Sequence, residues 1–184
     1  PGLIIIEPEA KNTAPAILAA TNYAFEQNND AILLASPSDH VIPDTQEFHK
    51  AISRGLDDVL SGNIVTFGIR PTHPETGYGY LSISHDTKNK CVKVKKFVEK
   101  PDLETANSMI EAGTYLWNAG IFMFRAKDLL EAFERYAASF IEPIKQSIKD
   151  GENDLGFFRL GSKEWSKCDA ISIDYAIMEH TSNL

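Results

Sequence analysis

The sequence predicts an α/β fold in which a mixed, mostly parallel sheet is flanked by helices, and three observations predict it. Two short apolar runs rich in β-branched and branched aliphatic residues, Leu3 to Ile6 and Ala31 to Ala35, suit strands buried on both faces of a parallel sheet. Between them lies a stretch whose apolar residues recur at helical spacing. Further on, two alternating segments flank a polar turn, the pattern of an antiparallel hairpin.

The elements follow in order. A first helix is expected from Asn12 or Thr13 as N-cap, with Pro15 in its first turn and Ala14, Ile17, Leu18, Thr21, Ala24 and Phe25 on one face. With its flanking runs it reads as a βαβ unit. Asp44 with Glu47 three residues later forms a capping box for a second helix, carried by Phe48, Ala51, Ile52, Leu56, Val59 and Leu60 and closed by Gly62. Ile64 to Ile69 reads as another buried strand. Tyr78 to Ser84 and Cys91 to Val98 form the hairpin around the turn His85 to Lys90. Asp102 caps a helix through Leu103, Ala106, Met109 and Ile110 that ends at Gly113. A strand over Tyr115 to Phe124 and helices over Lys127 to Ala138 and Phe140 to Lys149 come next. Gly151 to Lys167 is weakly patterned, and Ser172 caps a last helix containing Ile173, Ala176 and Ile177.

Composition narrows the function. With 184 residues, 43% of them apolar, the chain has the length for one domain with a core. A net charge of -8 argues against nucleic acid and anionic membranes as partners, since phosphate backbones need clustered Lys and Arg. A small molecule is expected instead, with a metal ion to help hold it if it is anionic. No apolar run approaches the ~20 residues of a membrane span, and the first residues lack a signal-peptide pattern. Cys91 and Cys168 stand far apart without CxxC spacing, which offers neither a disulfide framework nor a zinc site and fits a reducing cytoplasm.

Ligands of open α/β sheets bind beyond the carboxyl ends of the strands, which directs attention to the residues after each run. After Ile6 come Glu7 and the segment Lys11 to Ile17, a carboxylate beside a helix N-terminus with free N–H donors, although an ordinary capped helix has the same layout. After Ala35, Asp39 has no basic neighbour in sequence; Mg²⁺ would partner it near phosphates, and otherwise it would cap a turn. The five histidines show no metal-ligand spacing. Gly77 and Gly79 allow close backbone approach or a tight turn, but a GxG pair without a third glycine is no dinucleotide fingerprint. Glu99 and Lys100 end a strand as an acid–base neighbour pair. Asn118 is polar inside an apolar strand, where a sugar hydroxyl could satisfy its amide. Asp174 falls in the first turn of the last helix, where a carboxylate favours the helix dipole without further purpose.

Taken together, EPxxKNTAPAI (Glu7 to Ile17), PSDH (Pro37 to His40), PETGYGY (Pro74 to Tyr80), FVEKP (Phe97 to Pro101), WNAGIFMF (Trp117 to Phe124) and SIDYAIME (Ser172 to Glu179) resemble the bacterial mannose-1-phosphate guanylyltransferases, within the sugar-nucleotide pyrophosphorylases. The resemblance implies a Rossmann-like nucleotidyltransferase domain over residues 1–184, with GTP and mannose 1-phosphate as substrates and GDP-mannose as product. It implies Glu7, Asn12, Thr13 and Ala14 at the nucleotide, with helix amides near its base or ribose. Gly77, Tyr78, Glu99, Lys100 and Asn118 would hold the sugar phosphate, and Asp39 and Asp174 would hold Mg²⁺, so that Asp39, Lys100 and Asp174 are the implied catalytic set. The family pattern opens with a glycine-rich loop, GGxGxRLxPLS, absent here, and continues past SIDYAIME. The resemblance therefore implies an internal fragment that is inactive alone and leaves a sheet edge open. A homodimer is a family-level expectation. Two alternatives remain: a pyrophosphorylase for another sugar, and a noncatalytic nucleotide-sugar-binding module. A glycosyltransferase is less favoured, since Ser38-Asp39-His40 lacks a DxD pair.

Overall fold

The structure, a computed structural model, describes residues 2–84 and 91–184, so the expected turn over 85–90 lies outside the described residues. The chain forms two compact units, one from Pro1–Ala31 and Ala126–His180, the other from Ile32–Arg125 and Thr181–Leu184.

The first unit holds β1 (Ile4–Ile6) and α1 (Thr13–Gln27). Asn12 caps α1 through its side-chain oxygen, which accepts from the Thr13 N–H, as the sequence predicts. Ala14, Leu18 and Ala19 of α1 are buried, and the helix packs on two others made much later in the chain. Their counterparts have bounds Ala126–Tyr136 and Ile141–Lys149, joined by a 3₁₀ turn at Ala138–Phe140. Leu129, Phe133 and Ile144 supply the fully buried apolar face there. Between Glu152 and Arg159 the weakly patterned stretch folds into a hairpin whose turn places Leu155 and Gly156 at positive φ, and the short helix Ser162–Trp165 follows. A π-helix spans Asp174–Met178, with Ser172 Oγ accepting from the Tyr175 N–H at 3.3 Å, close to the predicted cap.

The second unit is built on a five-stranded sheet. In chain order its elements are β2 (Ile32–Ala35), α2 (Thr45–Leu60), β3 (Val65–Ile69), β4 (Gly79–Ser82), β5 (Lys96–Glu99), α3 (Leu103–Ala112) and β6 (Tyr115–Arg125). The later elements of the first unit then become α4 (Ala126–Tyr136), α5 (Ile141–Lys149), β7 (Glu152–Asp154), β8 (Phe157–Arg159) and α6 (Ser162–Trp165). Asp44 Oδ1 accepts from the Glu47 N–H at 2.9 Å, and Asp102 Oδ1 from Thr105 N–H at 2.8 Å, so both predicted caps form. Gly113 closes α3 in the left-handed conformation. α2 lies against β3 and β6 at Gly55, where an added Cβ would meet Met123 Cε and Val65 Cγ1 at 3.0 Å. Tyr80, Ala106, Met109 and Trp117 form a second buried cluster between the sheet and α3.

The α/β class and the flanking helices agree with the sequence, but the strand pairing differs. β6 is hydrogen-bonded antiparallel to β2, β3 and β4, and β4 antiparallel to β5. β2 and β3 therefore run the same way without touching, because β6 lies between them. The parallel pair is β1 with β8, which also separates β1 from β2 and dissolves the expected βαβ unit into two sheets. β1 and β2 each have one paired side among the described residues. Ile4, Ile32 and Leu34 are exposed rather than buried on both faces.

Candidate active site

In the first unit, the segment after β1 is tied down before α1 begins. The Trp165 Nε1–H donates to the Glu9 carbonyl at 2.8 Å, Lys11 Nζ reaches the Ser166 carbonyl at 3.3 Å, and Lys11 pairs with Glu9 at 3.1 Å. Asn12 then adopts φ 67, ψ -168, a region that glycine alone populates without strain. Residues 12–14 are stitched to the entry of the π-helix: Thr13 Oγ1 accepts from the Ile173 N–H at 2.9 Å, and the Ala14 N–H donates to the Ile171 carbonyl at 3.1 Å. Asn12, Thr13, Ala14 and Asp174 are thus brought into one neighbourhood.

These bonds correct one expectation. The first-turn amides were read as open donors, yet Thr13 N–H is taken by Asn12, Ala14 N–H by Ile171, and Pro15 has none. The first turn is therefore closed by the chain itself at Thr13, Ala14 and Pro15. Glu7 lines a polar cleft of about 490 Å³ with Arg159, Lys163 and Asp150. Burial pushes its carboxyl above the ordinary value, while the Lys11 backbone N–H pulls it down.

Strain at Asn12 carries a prediction. Asn12→Gly removes a backbone cost of roughly 1–3 kcal/mol and loses only a few tenths as a cap. We expect stability to rise by about 1 kcal/mol in urea unfolding; a fall would mean that the side-chain cap outweighs the strain.

The second unit assembles the remaining residues across its sheet. Gly79 faces Glu99 between β4 and β5, and Gly68 faces Asn118 between β3 and β6. Tyr80 faces Trp117 in the last pair of the β4–β6 ladder, and the same register carried one step on brings Gly79 toward Asn118. Glu99, Gly79, Asn118 and Gly68 thus form one row over four strands. A bulge shapes the row: Thr66 pairs with Phe122 and Gly68 with Asn118, so one residue of β3 is faced by three of β6, with Gly120 at φ 67. Through that bend Asn118 Oδ1 accepts from the Gly120 N–H at 3.2 Å and from Thr66 Oγ1 at 2.9 Å.

Glu99 and Lys100 form the charged end of the row. Lys100 Nζ lies 2.7 Å from Glu99 Oε1, the Glu99 side chain being 6% exposed and that of Lys100 51%. Lys100 sits at φ 48 and donates its N–H to the Tyr78 carbonyl at 3.2 Å. A non-glycine residue held in the left-handed region marks a backbone that the surroundings over-determine. Tyr78 lays its half-exposed ring against Trp117 at 5.4 Å, and His73 approaches the same indole at 5.0 Å. The Trp117 Nε1–H is buried without a hydrogen-bond partner among the described residues.

Gly77 is held within its own turn. Its N–H donates to Glu75 Oε1 at 2.9 Å, which holds the Glu75 carboxyl below its ordinary value. The Glu75 backbone also brackets the Tyr80 hydroxyl, at 3.0 and 2.9 Å. Thr66 and Glu75 are residues that sequence reasoning missed, the partner of Thr66 following from strand register and those of Glu75 from the local turn. Asp39 lies in the exposed turn after β2.

A groove of about 510 Å³ in this unit is bordered by Arg54, Asp58, Leu81, Cys91 and Leu116. Burial, then Asp58, pushes the Cys91 thiol up to about 11. At pH 8 its thiolate fraction is therefore about a hundredfold below that of a thiol at the reference value of 9.0. Iodoacetamide should alkylate Cys91 slowly at pH 8, faster as pH rises toward 11; a rate like that of free cysteine at pH 8 would contradict this environment.

An α/β sheet that presents an ion pair at a strand end and a polar amide within a strand has the layout of an enzyme binding a small ligand there. The family model described as nucleotidyl transferase matches residues 2–168, and the chain belongs to that family. It is 40% identical over 183 residues to the xanthan biosynthesis protein XanB of Xanthomonas campestris pv. campestris strain B100, covering 100% of this chain and 39% of that protein. It is 41% identical over 182 residues to the mannose-1-phosphate guanylyltransferase RfbM of Salmonella typhimurium, covering 98% and 38% respectively. The chain thus spans about two fifths of the length of these curated relatives. Among solved structures, one described as mannose-6-phosphate isomerase from Helicobacter pylori is similar at a TM-score of 0.87 and 29% identity, over 98% of this chain and 69% of that one.

Proposed function

We propose that the protein transfers GMP from GTP to mannose 1-phosphate, giving GDP-mannose and pyrophosphate. The observation that carries this reading is the Glu99–Lys100 pair fixed at the end of β5 in one row with Asn118. A carboxylate and an amide suit sugar hydroxyls, and an adjacent ammonium suits a phosphate. Similarity to guanylyltransferases across the chain supports the choice of mannose and guanine nucleotide.

In this reading Lys100 meets the phosphate of mannose 1-phosphate, while Glu99 and Asn118 orient its hydroxyls beside Tyr78 and Gly77. The GTP is met by Glu7 and the segment Asn12–Ala14, where the Thr13 and Ala14 N–H groups are already taken and side chains make the contacts. A phosphate oxygen of the sugar phosphate attacks the α-phosphorus of GTP; that P–O bond forms as the α–β bridging P–O bond breaks, and pyrophosphate leaves with the electron pair. The attacking monoester is already anionic, so no general base is required, and positioning together with charge neutralisation carries the rate.

Asp39 and Asp174 each offer the carboxylate oxygens that Mg²⁺ prefers. No group of three or more His, Cys, Asp or Glu side chains suited to a metal occurs among the described residues. A cation bound by a single carboxylate and substrate phosphates matches that donor chemistry. When bound, Mg²⁺ supplies neutralisation of phosphate charge. Cytoplasmic residence is part of the proposal, supported by two free cysteines; no helix of the described residues is long and apolar enough to cross a membrane.

The test is pyrophosphate release with Mg²⁺ from the protein in its full natural length. Release with GTP plus mannose 1-phosphate is expected. Release only with UTP or dTTP plus glucose 1-phosphate would replace the substrates, and silence with every pair would favour a binding module.

A further inference from the structure

We infer that Gly79 is a positioning residue for Glu99, its missing side chain being the space into which the Glu99 carboxylate folds; the functional consequence rests on the sugar-phosphate reading of Glu99 given above. A Cβ built on Gly79 would lie 2.5 Å from Glu99 Oε2 and 3.1 Å from the Phe97 ring edge. Gly79 is the direct cross-strand partner of Glu99, with Phe97 beside it on the same face of β5. The backbone of Gly79 has no positive φ, so its glycine is explained by space and not by conformation.

Space at this point has a definite use. Glu99 is 6% exposed at its side chain, and its carboxylate lies over the Gly79 backbone while meeting Lys100 Nζ at 2.7 Å. The group that a methyl would strike is the far end of a flexible side chain. An alanine therefore displaces the carboxylate in preference to the strand, and the substitution acts on the site while the fold survives. This separates Gly79 from Gly68, where an added Cβ would meet the Leu116 side chain at 2.5 Å and disturb apolar packing.

The experiment uses the protein in its full natural length. Gly79→Ala is expected to raise KM for mannose 1-phosphate about tenfold or more, with KM for GTP within about twofold and the unfolding midpoint nearly unchanged. Glu99→Asp withdraws the carboxylate by one methylene, so adding Gly79→Ala to Glu99→Asp should cost less than adding it to the wild type. An equal penalty in both backgrounds, or an unmoved KM for the sugar phosphate, overturns the inference. The crystal structure of Gly79→Ala reads the geometry without any substrate: Glu99 turned away from Lys100 supports the inference, and Glu99 in place overturns it. If the wild type prefers another sugar 1-phosphate, the substrate reading falls while the same KM comparison on that sugar still decides the role of Gly79.

Discussion

Trp165→Ala is expected to lower the stability of the protein by about 3–5 kcal/mol, the range for removing a fully buried large aromatic side chain. Trp165 is fully buried in α6, and its Nε1–H satisfies the Glu9 carbonyl. The substitution opens a cavity and strips a carbonyl of its partner, and both costs fall on the same place. Against a typical total of about 5–15 kcal/mol, this is a large fraction. Trp165→Phe keeps most of the apolar volume and loses the N–H, so it should cost about 1–3 kcal/mol. Urea denaturation monitored by circular dichroism measures both; a Trp165→Ala loss under about 1 kcal/mol would show that α6 is not the clamp described. Because Glu9 sits in the segment that leads to Asn12, the variant should also release that segment to proteolysis before the rest of the unit unfolds.

Glu99→Ala is expected to reduce kcat/KM for mannose 1-phosphate about a hundredfold, equivalent to ~2.7 kcal/mol, within the ~1.5–3 kcal/mol range of hydrogen bonds to charged groups. The loss has two parts. The sugar loses an acceptor, and Lys100, 2.7 Å from that carboxylate, loses its orienting partner. Glu99→Gln keeps the shape and one acceptor oxygen but not the charge, so its activity should fall between the two. Steady-state kinetics with the sugar phosphate varied at saturating GTP decides the matter. An unchanged kcat/KM would remove Glu99 from the site and with it the principal support for the sugar-phosphate reading.

The helices were legible because their signals are local. Asn12, Asp44 with Glu47, and Asp102 with Gly113 act within a turn of the backbone they cap. The pairing of strands was not, since apolar runs specify burial and not neighbours; nothing in Ala31 to Ala35 announces that β6 will be its partner. The β7–β8 hairpin escaped notice for a related reason: Glu152–Asp154 is wholly polar, and the turn is signalled only by Leu155-Gly156. Within the site, Glu99 and Lys100 stand out as polar groups at a strand end, and Asn118 as a polar residue inside an apolar strand. Thr66 and Gly79 acquire meaning from cross-strand register, Thr66 lying 52 residues from the amide it holds. The helix N-terminus at Asn12 misled in one respect, for the partner of the Ala14 N–H comes from Ile171, far along the chain.

The path of the chain between the two units sets an order of assembly during synthesis. Thr13 and Ile173 are hydrogen-bonded although 160 residues apart, and α1 packs on α4 and α5, all encoded after the long stretch Ile32–Arg125. At ribosomal speeds of about 5–20 residues per second, the apolar face of α1 waits roughly 5–20 s for its first partner helix. The second unit meanwhile has nearly all of its own residues in hand and lacks only Thr181–Leu184, whose carbonyls at Asn183 and Leu184 accept from Ile64 and Val94. Nascent chains should therefore hold the α1 face without α4 and α5 until residues 126–149 have emerged.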